Sequence, residues 1–392
     1  MGWEFEMSDD SAWKSWIDDV IEERKKHNLL RSLEALEPVS PVKIKRGKTG
    51  YTTLFSSNDY LGLSGDERVV RGVVSTIEKY GLGPRGSPLI CGYSTLHQRL
   101  EEEIAHWKRT EAALLCPTGF SANLAVISGL ADENTTIFSD ELNHASIIDG
   151  CTLARRGGAT LKVYGHRDTD ALEAMLKRCK SERAMVVTDS VFSMDGDLAP
   201  LKELADLCER YGALFVIDEA HGSFAFGDQG RGLAEHCGVS DRVDVHVGTL
   251  SKGAGGQGGF IATSASLRTL LLNLGRSYIY STAAPLSVIG GLLAALEVVR
   301  TDEEPQKRLW ARVHQLAEGL GMELASPIVP IVIGGKEETL KASAALREQG
   351  IDVTAIRPPT VPEGTSRLRI TVSAAHSAED IDRLIKALRD VM

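Results

Sequence analysis

The sequence predicts an α/β fold built on a large, mostly parallel sheet, and three observations point to that class. Short, continuous apolar runs bounded by polar residues, such as those at 186–187 and 214–217, are typical of strands buried on both faces. Amphipathic segments separate these runs, and in the one at 197–212 apolar residues recur at helical spacing until Gly212 ends it. Glycine is enriched, with 38 of 392 residues, and clusters in loops. Such clusters indicate that the backbone approaches a small ligand closely.

The composition indicates a well-packed globular chain rather than a disordered or disulfide-stabilised one. Of the 392 residues, 43% are hydrophobic and 25% are charged. The 44 Lys and Arg residues against 54 Asp and Glu residues leave a formal net charge of −10, so there is no general basic surface for nucleic acid. The six cysteines contain no CxxC pair, which favours a reducing compartment. We therefore expect neither a nucleic-acid partner nor a metal site.

The sequence also predicts no membrane span and no secretory signal. The acidic segment at 1–10 lacks the basic and apolar regions of a signal peptide. The most apolar stretch, at 285–299, contains Glu297 and is too short to cross a bilayer. We expect a cytoplasmic location. A peroxisomal one stays open if a C-terminal signal is missing from this sequence, because Asp-Val-Met at 390–392 is not a tripeptide of the Ser-Lys-Leu type.

Three parts are predicted along the chain. Residues 1–49 form an N-terminal helix, at 13–33, followed by a connecting arm. Residues 50–297 form the large α/β domain. Strand and helix patterns then alternate over residues 298–392, which predicts a smaller C-terminal α+β domain.

The most informative motif is Thr-Leu-Ser-Lys at 249–252, which is followed by a glycine-rich loop. A lysine that follows a strand in a loop of glycine and hydroxyl residues is well placed to be desolvated, to lose its proton and to attack a carbonyl. The alternative is a surface lysine in a flexible turn. A second polar locus lies about thirty residues earlier, where a buried strand ends at Asp218 and His221 follows.

Together the two loci fit pyridoxal 5′-phosphate. In that interpretation Lys252 forms an imine with the cofactor, Asp218 keeps the ring nitrogen protonated, and the hydroxyl groups bind phosphate. Taken alone, Asp218 could also be a metal ligand or a ribose-binding group. Asp-Glu-Ala-His at 218–221 is similar to a helicase box, but the sequence has no GxxxxGK[ST] loop, which excludes a helicase.

Further blocks extend this pattern over nearly the whole chain. They are FSSNDYLGLS (55–64), GYSTLHQRLEEEIA (92–105), CPTGFSAN (116–123), DELNHASIIDG (140–150), TDSVFSMDGDLAPL (188–201), IDEAHG (217–222), GRSYIYSTAAP (275–285) and RPPTVPEGTSRLRITVSAAH (357–376). With these blocks the chain resembles the α-oxoamine synthases, a family of fold-type I pyridoxal phosphate-dependent transferases. The resemblance implies that fold and a decarboxylative condensation of an amino acid with an acyl thioester.

The segment RPPTVP at 357–362 makes the chain most similar to the members that condense L-alanine with pimeloyl-CoA or a pimeloyl carrier-protein thioester. Members that use glycine or serine instead stay open as alternatives. So does a non-catalytic member, although such a protein would be expected to lack Lys252 or Asp218.

The resemblance implies a role for each residue of a cofactor site. Lys252 would hold the cofactor, Asp218 would pair with its ring nitrogen, and His144 would stack on the ring and assist proton transfer. The ring hydroxyl would meet His221 and Ser193, and the phosphate would meet Gly119, Phe120 and Thr249. Without the resemblance, His144 would be interpreted as a structural histidine that caps a helix.

The resemblance also implies a homodimer with shared active sites. Ser281 and Thr282 would reach the phosphate from the second subunit. Arg369 would bind the amino-acid carboxylate, for which a guanidinium is well suited. The other residues expected near the substrates are Arg31, at the distal carboxylate of the acyl group, and Asn58 and Thr371.

Overall fold

A computed structural model describes residues 11–46 and 50–391; the N-terminal segment at 1–10 and Met392 lie outside the described residues. The α-helices of the described residues are α1 (Ala12–Lys26), α2 (Glu67–Tyr80), α3 (Thr95–Lys108), α4 (Gly119–Leu130), α5 (Ala145–Arg156), α6 (Thr169–Leu176), α7 (Leu201–Tyr211), α8 (Leu233–His236), α9 (Ala265–Leu274), α10 (Arg276–Ile279), α11 (Leu286–Thr301), α12 (Glu304–Leu320), α13 (Lys336–Glu348) and α14 (Ala378–Val391).

The strands alternate with these helices through most of the chain. They are β1 (Glu37–Ser40), β2 (Lys43–Lys45), β3 (Tyr51–Leu54), β4 (Ala112–Cys116), β5 (Thr135–Asp140), β6 (Thr160–Tyr164), β7 (Arg183–Asp189), β8 (Leu214–Asp218), β9 (Val245–Thr249), β10 (Gly259–Thr263), β11 (Ile328–Gly334), β12 (Ile351–Asp352), β13 (Thr354–Ile356) and β14 (Ser366–Thr371).

A seven-stranded sheet forms the centre of the molecule, in the order β4-β10-β9-β8-β7-β5-β6. Strand β10 runs antiparallel to both of its neighbours, and the other neighbouring strands run parallel. Alternate residues of β7 and β8 enter two separate apolar clusters; Val186 and Phe215 belong to one, and Met185 and Val216 to the other. The sheet is therefore covered on both faces, which confirms the predicted α/β class with a large, mostly parallel sheet.

Two smaller sheets join distant parts of the chain. One has the order β1-β2-β3-β12 and the other the order β11-β14-β13. Because β12 pairs in parallel with β3, the segment Tyr51–Leu54 hydrogen-bonds to a strand of the C-terminal part. The domain boundaries after residues 49 and 297 stay predictions.

The N-terminal helix is shorter than the sequence pattern predicts. It ends at Lys26 rather than near residue 33, because Asn28 adopts a left-handed conformation, with φ of 56°. No side chain of α1 is buried in the chain, so no packing extends the helix against this local break. In the described parts of the chain, no helix combines the length and the apolar character needed to cross a membrane.

The topology brings the polar strand ends to one edge of the central sheet. Asp189, Asp218 and Thr249 are the last residues of β7, β8 and β9, which are parallel neighbours. His144 lies just before α5, in the turn that follows β5. Ligands of such sheets bind at the carboxyl ends of the strands, so this edge is where a site is expected.

Candidate active site

Lys252 lies at this edge and is half-buried, and its amine is directed to a hydrogen-bond partner in the protein rather than to solvent. Its Nζ lies 2.7 Å from Nε2 of His221, whose Nδ1 forms a short hydrogen bond with the hydroxyl of Tyr60. Burial lowers the pKa of Lys252 to about 8, against the opposing effect of Asp218. Near pH 8 a large fraction of this amine is therefore uncharged and able to act as a nucleophile or a base.

His221 is neutral in this arrangement. Burial, together with the charge of Lys252, holds its pKa well below the ordinary value for histidine. Burial also raises the pKa of Tyr60 to about 12, so its hydroxyl keeps its proton. A neutral imidazole donates from one nitrogen and accepts at the other, and Tyr60 and Lys252 occupy these two positions.

Asp218 is fixed by three groups at the buried end of β8. Its Oδ1 accepts a hydrogen bond from the backbone N–H of Ala220 at 2.7 Å, and its Oδ2 accepts one from Nδ2 of Asn123 at 2.6 Å. Ser190 donates from both its backbone N–H and its hydroxyl to the Asp218 carbonyl oxygen. These contacts fix the orientation of a buried carboxylate, as the partner of a protonated ring nitrogen requires.

His144 occupies the helix-capping position that the sequence offers as its structural interpretation. Its backbone N–H donates to Oδ2 of Asp189 at 2.6 Å, and its Nδ1 caps α5 by accepting from the backbone N–H of Ser146. The ring remains exposed to the cleft, with its centroid 6.4 Å from that of Phe120. Desolvation lowers the pKa of His144, which favours the neutral ring.

The start of α4 offers backbone N–H groups to an anion. Thr118 caps the helix, and the first N–H groups of a helix, here those of Gly119 and Phe120, have no intrahelical acceptor. A Cβ atom on Gly119 would lie 3.2 Å from the Cβ of Thr249. The Thr249 hydroxyl lies 2.7 Å from that of Ser251, so hydroxyl groups from the β9 end face the start of the helix.

Arg369 is a buried cation, and the described residues provide no carboxylate within ion-pair distance of it. Its Nε donates to the carbonyl oxygen of Ser193 at 2.5 Å, both Nη atoms donate to Oδ1 of Asn58 at 3.2 Å, and Nη1 donates to the hydroxyl of Thr371 at 3.0 Å. Its charge lowers the pKa of Lys252 and of His221, which places it near them. A buried guanidinium held by neutral acceptors is suited to bind an anionic ligand.

For three of the predicted residues the structure shows contacts with other groups. Ser281 and Thr282 line a small cavity with Tyr93 and His97. Nη2 of Arg31 donates to the hydroxyl of Thr360, at 3.2 Å. Ser193 contacts Arg369 through its backbone carbonyl oxygen.

Four residues of the site were missed by the motif reasoning: Tyr60, Asn123, Ser146 and Asp189. Each occurs inside a block that carries the family resemblance, but local spacing does not show that Asn123, on α4, meets Asp218, on β8. Burial raises the pKa of Asp189 well above its usual value, and the charge of Asp218 adds to this effect. A polar residue at the start or end of an otherwise apolar segment is the sequence feature that could have indicated them.

Comparison with known proteins gives consistent results for sequence and fold. The family described as aminotransferase class I and II matches residues 52–388. An 8-amino-7-oxononanoate synthase of Arabidopsis thaliana is 47% identical over 359 residues, covering 88% of this chain and 75% of that protein. An enzyme of the same name from Anaeromyxobacter dehalogenans is 44% identical over 383 residues, covering 96% and 95%.

Solved structures are similar over most of the chain as well. A high-resolution structure of SPT with its PLP internal aldimine superposes with a TM-score of 0.91 at 30% identity, covering 97% of this chain and 98% of that one. The 8-amino-7-oxononanoate synthase of Francisella tularensis superposes with a TM-score of 0.73 at 27% identity, covering 87% and 96%.

Proposed function

Because the chain belongs to the aminotransferase class I and II family, we propose that it is a pyridoxal 5′-phosphate-dependent acyltransferase, an 8-amino-7-oxononanoate synthase of biotin biosynthesis. It would condense L-alanine with pimeloyl-CoA, or with a pimeloyl carrier-protein thioester, and release the thiol and carbon dioxide. The observation that carries the proposal is one cleft that holds the amine of Lys252, the buried carboxylate of Asp218 and the guanidinium of Arg369.

The residues at the sheet edge fit pyridoxal 5′-phosphate. Asn123 supports this, because its buried Oδ1 has no hydrogen-bond partner while its Nδ2 binds Asp218. The residues that would hold the cofactor are Lys252, Asp218, His144, His221, Ser193, Gly119, Phe120 and Thr249. When bound, the cofactor supplies an electron-withdrawing ring that stabilises negative charge at the α-carbon of the amino acid.

Proton transfer is assigned to Lys252. Its amine, with a pKa of about 8, is close enough to neutral pH to take the α-proton of the amino acid and to return it later. The hydrogen-bonded series Tyr60–His221–Lys252 has two arrangements of its protons, and a shift between them changes whether the Nζ donates or accepts. His144, neutral and at the mouth of the cleft, is the second candidate to move a proton.

Arg369 is assigned to the substrate carboxylate. Two parallel hydrogen bonds from its guanidinium would fix the α-carbon relative to Lys252. Asn58 and Thr371 hold the guanidinium in place with neutral oxygens, so that its positive charge remains available. Arg31 would bind the distal carboxylate of the acyl chain, because its contact with Thr360 joins the N-terminal arm to the segment that precedes β14.

The proposed unit is a homodimer in which Ser281 and Thr282 of each subunit complete the phosphate site of the other. The surface near these residues supports it. Ile90 and Tyr280 are 81% and 73% exposed, although both are large and apolar in character. The backbone N–H of Ala283 donates to the Gly86 carbonyl, which joins this loop to the one bearing Ile90. Large, exposed side chains of this kind on two joined segments are what an interface with a second subunit would cover.

The experiment is a substrate matrix with purified holoenzyme. Glycine, L-alanine and L-serine are each offered with acetyl-CoA, pimeloyl-CoA and palmitoyl-CoA, while free thiol is measured and products are identified by mass spectrometry. We expect L-alanine with pimeloyl-CoA to give the highest kcat/KM. A preference for glycine, or for serine with palmitoyl-CoA, would replace the proposal by a sister activity, and no thiol release from any pair would indicate a non-catalytic member.

The proposed site for the acyl carboxylate is tested in the same assay. Arg31→Gln should raise the KM for pimeloyl-CoA and leave that for L-alanine unchanged. Arg24→Gln, an equally conservative change in α1, serves as the matched control. Equal kinetics of the two variants would show that Arg31 does not bind the acyl group.

A further inference from the structure

A fully buried cluster of titratable residues lies next to the candidate site. The ammonium of Lys108, at the end of α3, forms a short ion pair with Oε2 of Glu219, and Nδ1 of His246 lies 3.5 Å from the same oxygen. All three side chains are about 1% exposed. The ammonium also lies 4.8 Å from the ring centroid of Trp107 and 5.6 Å from that of Phe260, so it is shielded from water.

The ion pair of Lys108 and Glu219 also holds residues 231–234 against the turn at 218–221. Lys108 also donates to the hydroxyl of Ser223, at 2.8 Å, and to the carbonyl oxygen of Arg231. The other carboxylate oxygen of Glu219 accepts the backbone N–H of Ala234 at 2.9 Å. A Cβ atom on Gly232, where φ is 121°, would lie 2.4 Å from both carboxylate oxygens, so the backbone closes tightly over the carboxylate.

The cluster is linked to both loops that carry the candidate catalytic residues. Glu219 follows Asp218 directly, and its carbonyl oxygen accepts from the N–H groups of Gly222 and Ser223 to close the turn around His221. Its own backbone N–H donates to Val247 on β9 at 2.7 Å.

His246 lies on β9 too, six residues before Lys252. A Cβ atom on Gly253 would lie 2.4 Å from the Cβ of Phe224. The loop after β8 and the loop after β9 are therefore also in close contact just past His221 and Lys252.

A buried ion pair rarely adds net stability, because desolvation offsets the attraction. Stability alone therefore does not account for one placed next to Asp218. Burial would raise the pKa of Glu219, but Lys108 and His246 outweigh that effect and hold it at about 2, so the carboxylate is charged at neutral pH.

We propose that Glu219, clamped by Lys108, is a positioning residue that sets the turn at 218–221 and thereby the placement of Asp218 and His221 relative to Lys252. The proposal rests on the proposed function, because it assigns the clamp a role only in a site that binds the cofactor. Neither Lys108 nor Glu219 touches the site directly; they act through the backbone of the turn.

The test compares Glu219→Gln, Lys108→Met and the double variant with wild type. Glu219→Gln keeps the shape and removes the charge. The double variant removes both charges, so it leaves no buried ion unpaired and provides a folded protein if the single variants fail to fold. Glu103→Gln is the matched control, because Glu103 lies on the same helix and pairs with Arg300 away from the cleft.

Two readouts do not depend on turnover. One is the affinity of the apoenzyme for pyridoxal 5′-phosphate, measured by titration, and the other is the pH midpoint of the visible absorbance of the bound cofactor. We expect the folded variants to bind the cofactor at least about tenfold more weakly, since weakening one hydrogen bond to a charged group costs about tenfold or more in affinity. We also expect the pH midpoint to move by about half a unit or more, while Glu103→Gln matches wild type.

If both changes persist in the double variant while its melting temperature stays near that of wild type, the result supports the positioning role of Glu219. If the folded double variant binds and titrates as wild type does, the clamp contributes only to the core and the proposal is wrong. If wild type itself neither binds the cofactor nor shows the visible band, the proposed function fails instead, and the two failures are distinguishable.

Discussion

Replacing Arg369 by lysine tests the proposed substrate anchor without removing its charge. The guanidinium is buried and is held by the Ser193 carbonyl, the Asn58 amide oxygen and the Thr371 hydroxyl, all of them neutral. Arg369→Lys preserves the positive charge that lowers the pKa of Lys252, but an ammonium cannot form two parallel hydrogen bonds to a carboxylate. The visible band of the bound cofactor should therefore survive while L-alanine binds more weakly.

The size of the effect follows from the number of hydrogen bonds lost. A hydrogen bond to a charged group contributes about 1.5–3 kcal/mol, and about 1.4 kcal/mol corresponds to a factor of ten. Losing one of two such bonds predicts an L-alanine dissociation constant about 10- to 100-fold higher. Thr371→Val removes one acceptor from Nη1 of Arg369 and leaves the arginine in place, so it should weaken binding by less than about tenfold.

The assay is a spectral titration of each holoenzyme with L-alanine, paired with the KM for L-alanine from thiol release. Arg367→Lys is the control, because Arg367 lies two residues earlier in β14 and already pairs with Asp195. Melting temperatures confirm that the variants are folded. Wild-type affinity for L-alanine in a folded Arg369→Lys variant would refute the assignment and place the carboxylate elsewhere.

Three further predictions concern the amine of Lys252, the pH dependence of its reaction with the cofactor, and the ionisation of His166. Lys252→Ala should abolish the visible band of the bound cofactor and release no CoA; retention of both in the purified variant would show that another amine acts. The rate at which the apoenzyme captures pyridoxal 5′-phosphate should rise with pH and level off above about 8, because the uncharged amine of Lys252 is the nucleophile; a rate that is flat from pH 6 to 9 in stopped-flow absorbance would contradict the lowered pKa. Burial lowers the pKa of His166, but hydrogen bonds to Asp140 and Asp197 outweigh it and raise the pKa overall. The stabilisation that His166→Asn removes should therefore be fully present in wild type below pH 6.5 and disappear as pH rises through the raised pKa. Urea unfolding of wild type and variant across pH 5.5–9 measures this difference in the free energy of unfolding. A difference that grows with pH would contradict the raised pKa.

The sequence was sufficient for features set by local pattern. The buried strand ending at Asp218, the helix stopped by Gly212 and the loop after Thr249 all occur as predicted, because burial on both sheet faces and glycine-rich loops leave a direct pattern in the chain. What local pattern could not supply is pairing over long distances. The contacts of Tyr60 with His221 and of Asn123 with Asp218 join residues 161 and 95 positions apart, and no periodicity specifies them.

The C-terminal end of α1 is a second feature that local pattern does not predict. The sequence pattern predicts a helix that continues to residue 33, but no apolar residue lies between Ile21 and Leu29 and the backbone leaves the helical region at Asn28. No side chain of α1 is buried, so local preference acts there without support from the core. An amphipathic pattern predicts where a helix can form, whereas the packing partner decides how far it extends.

Four cations of the described residues, the buried Lys108, Arg367 and Arg369 and the half-buried Lys252, differ in whether the protein supplies their counter-ion. Lys108 pairs with Glu219, and Arg367 pairs with Asp195, so the charge of each is neutralised within the fold. Within the described part of the chain, Arg369, on the same strand as Arg367, donates only to neutral acceptors, and the amine of Lys252 contacts a histidine ring nitrogen rather than a carboxylate.

Desolvating a cation without an anion is unfavourable, so a buried position that tolerates it is one where a ligand provides the missing charge or where the cation gives up its proton. Arg369 fits the first case, because a guanidinium cannot be deprotonated in a protein. Lys252 fits the second, because its pKa is lowered to about 8. The contrast thus supports the proposed roles, with Arg369 as the residue that binds the substrate carboxylate and Lys252 as the residue that reacts, on an acidic protein whose net charge of −10 gives no hint of a cationic site.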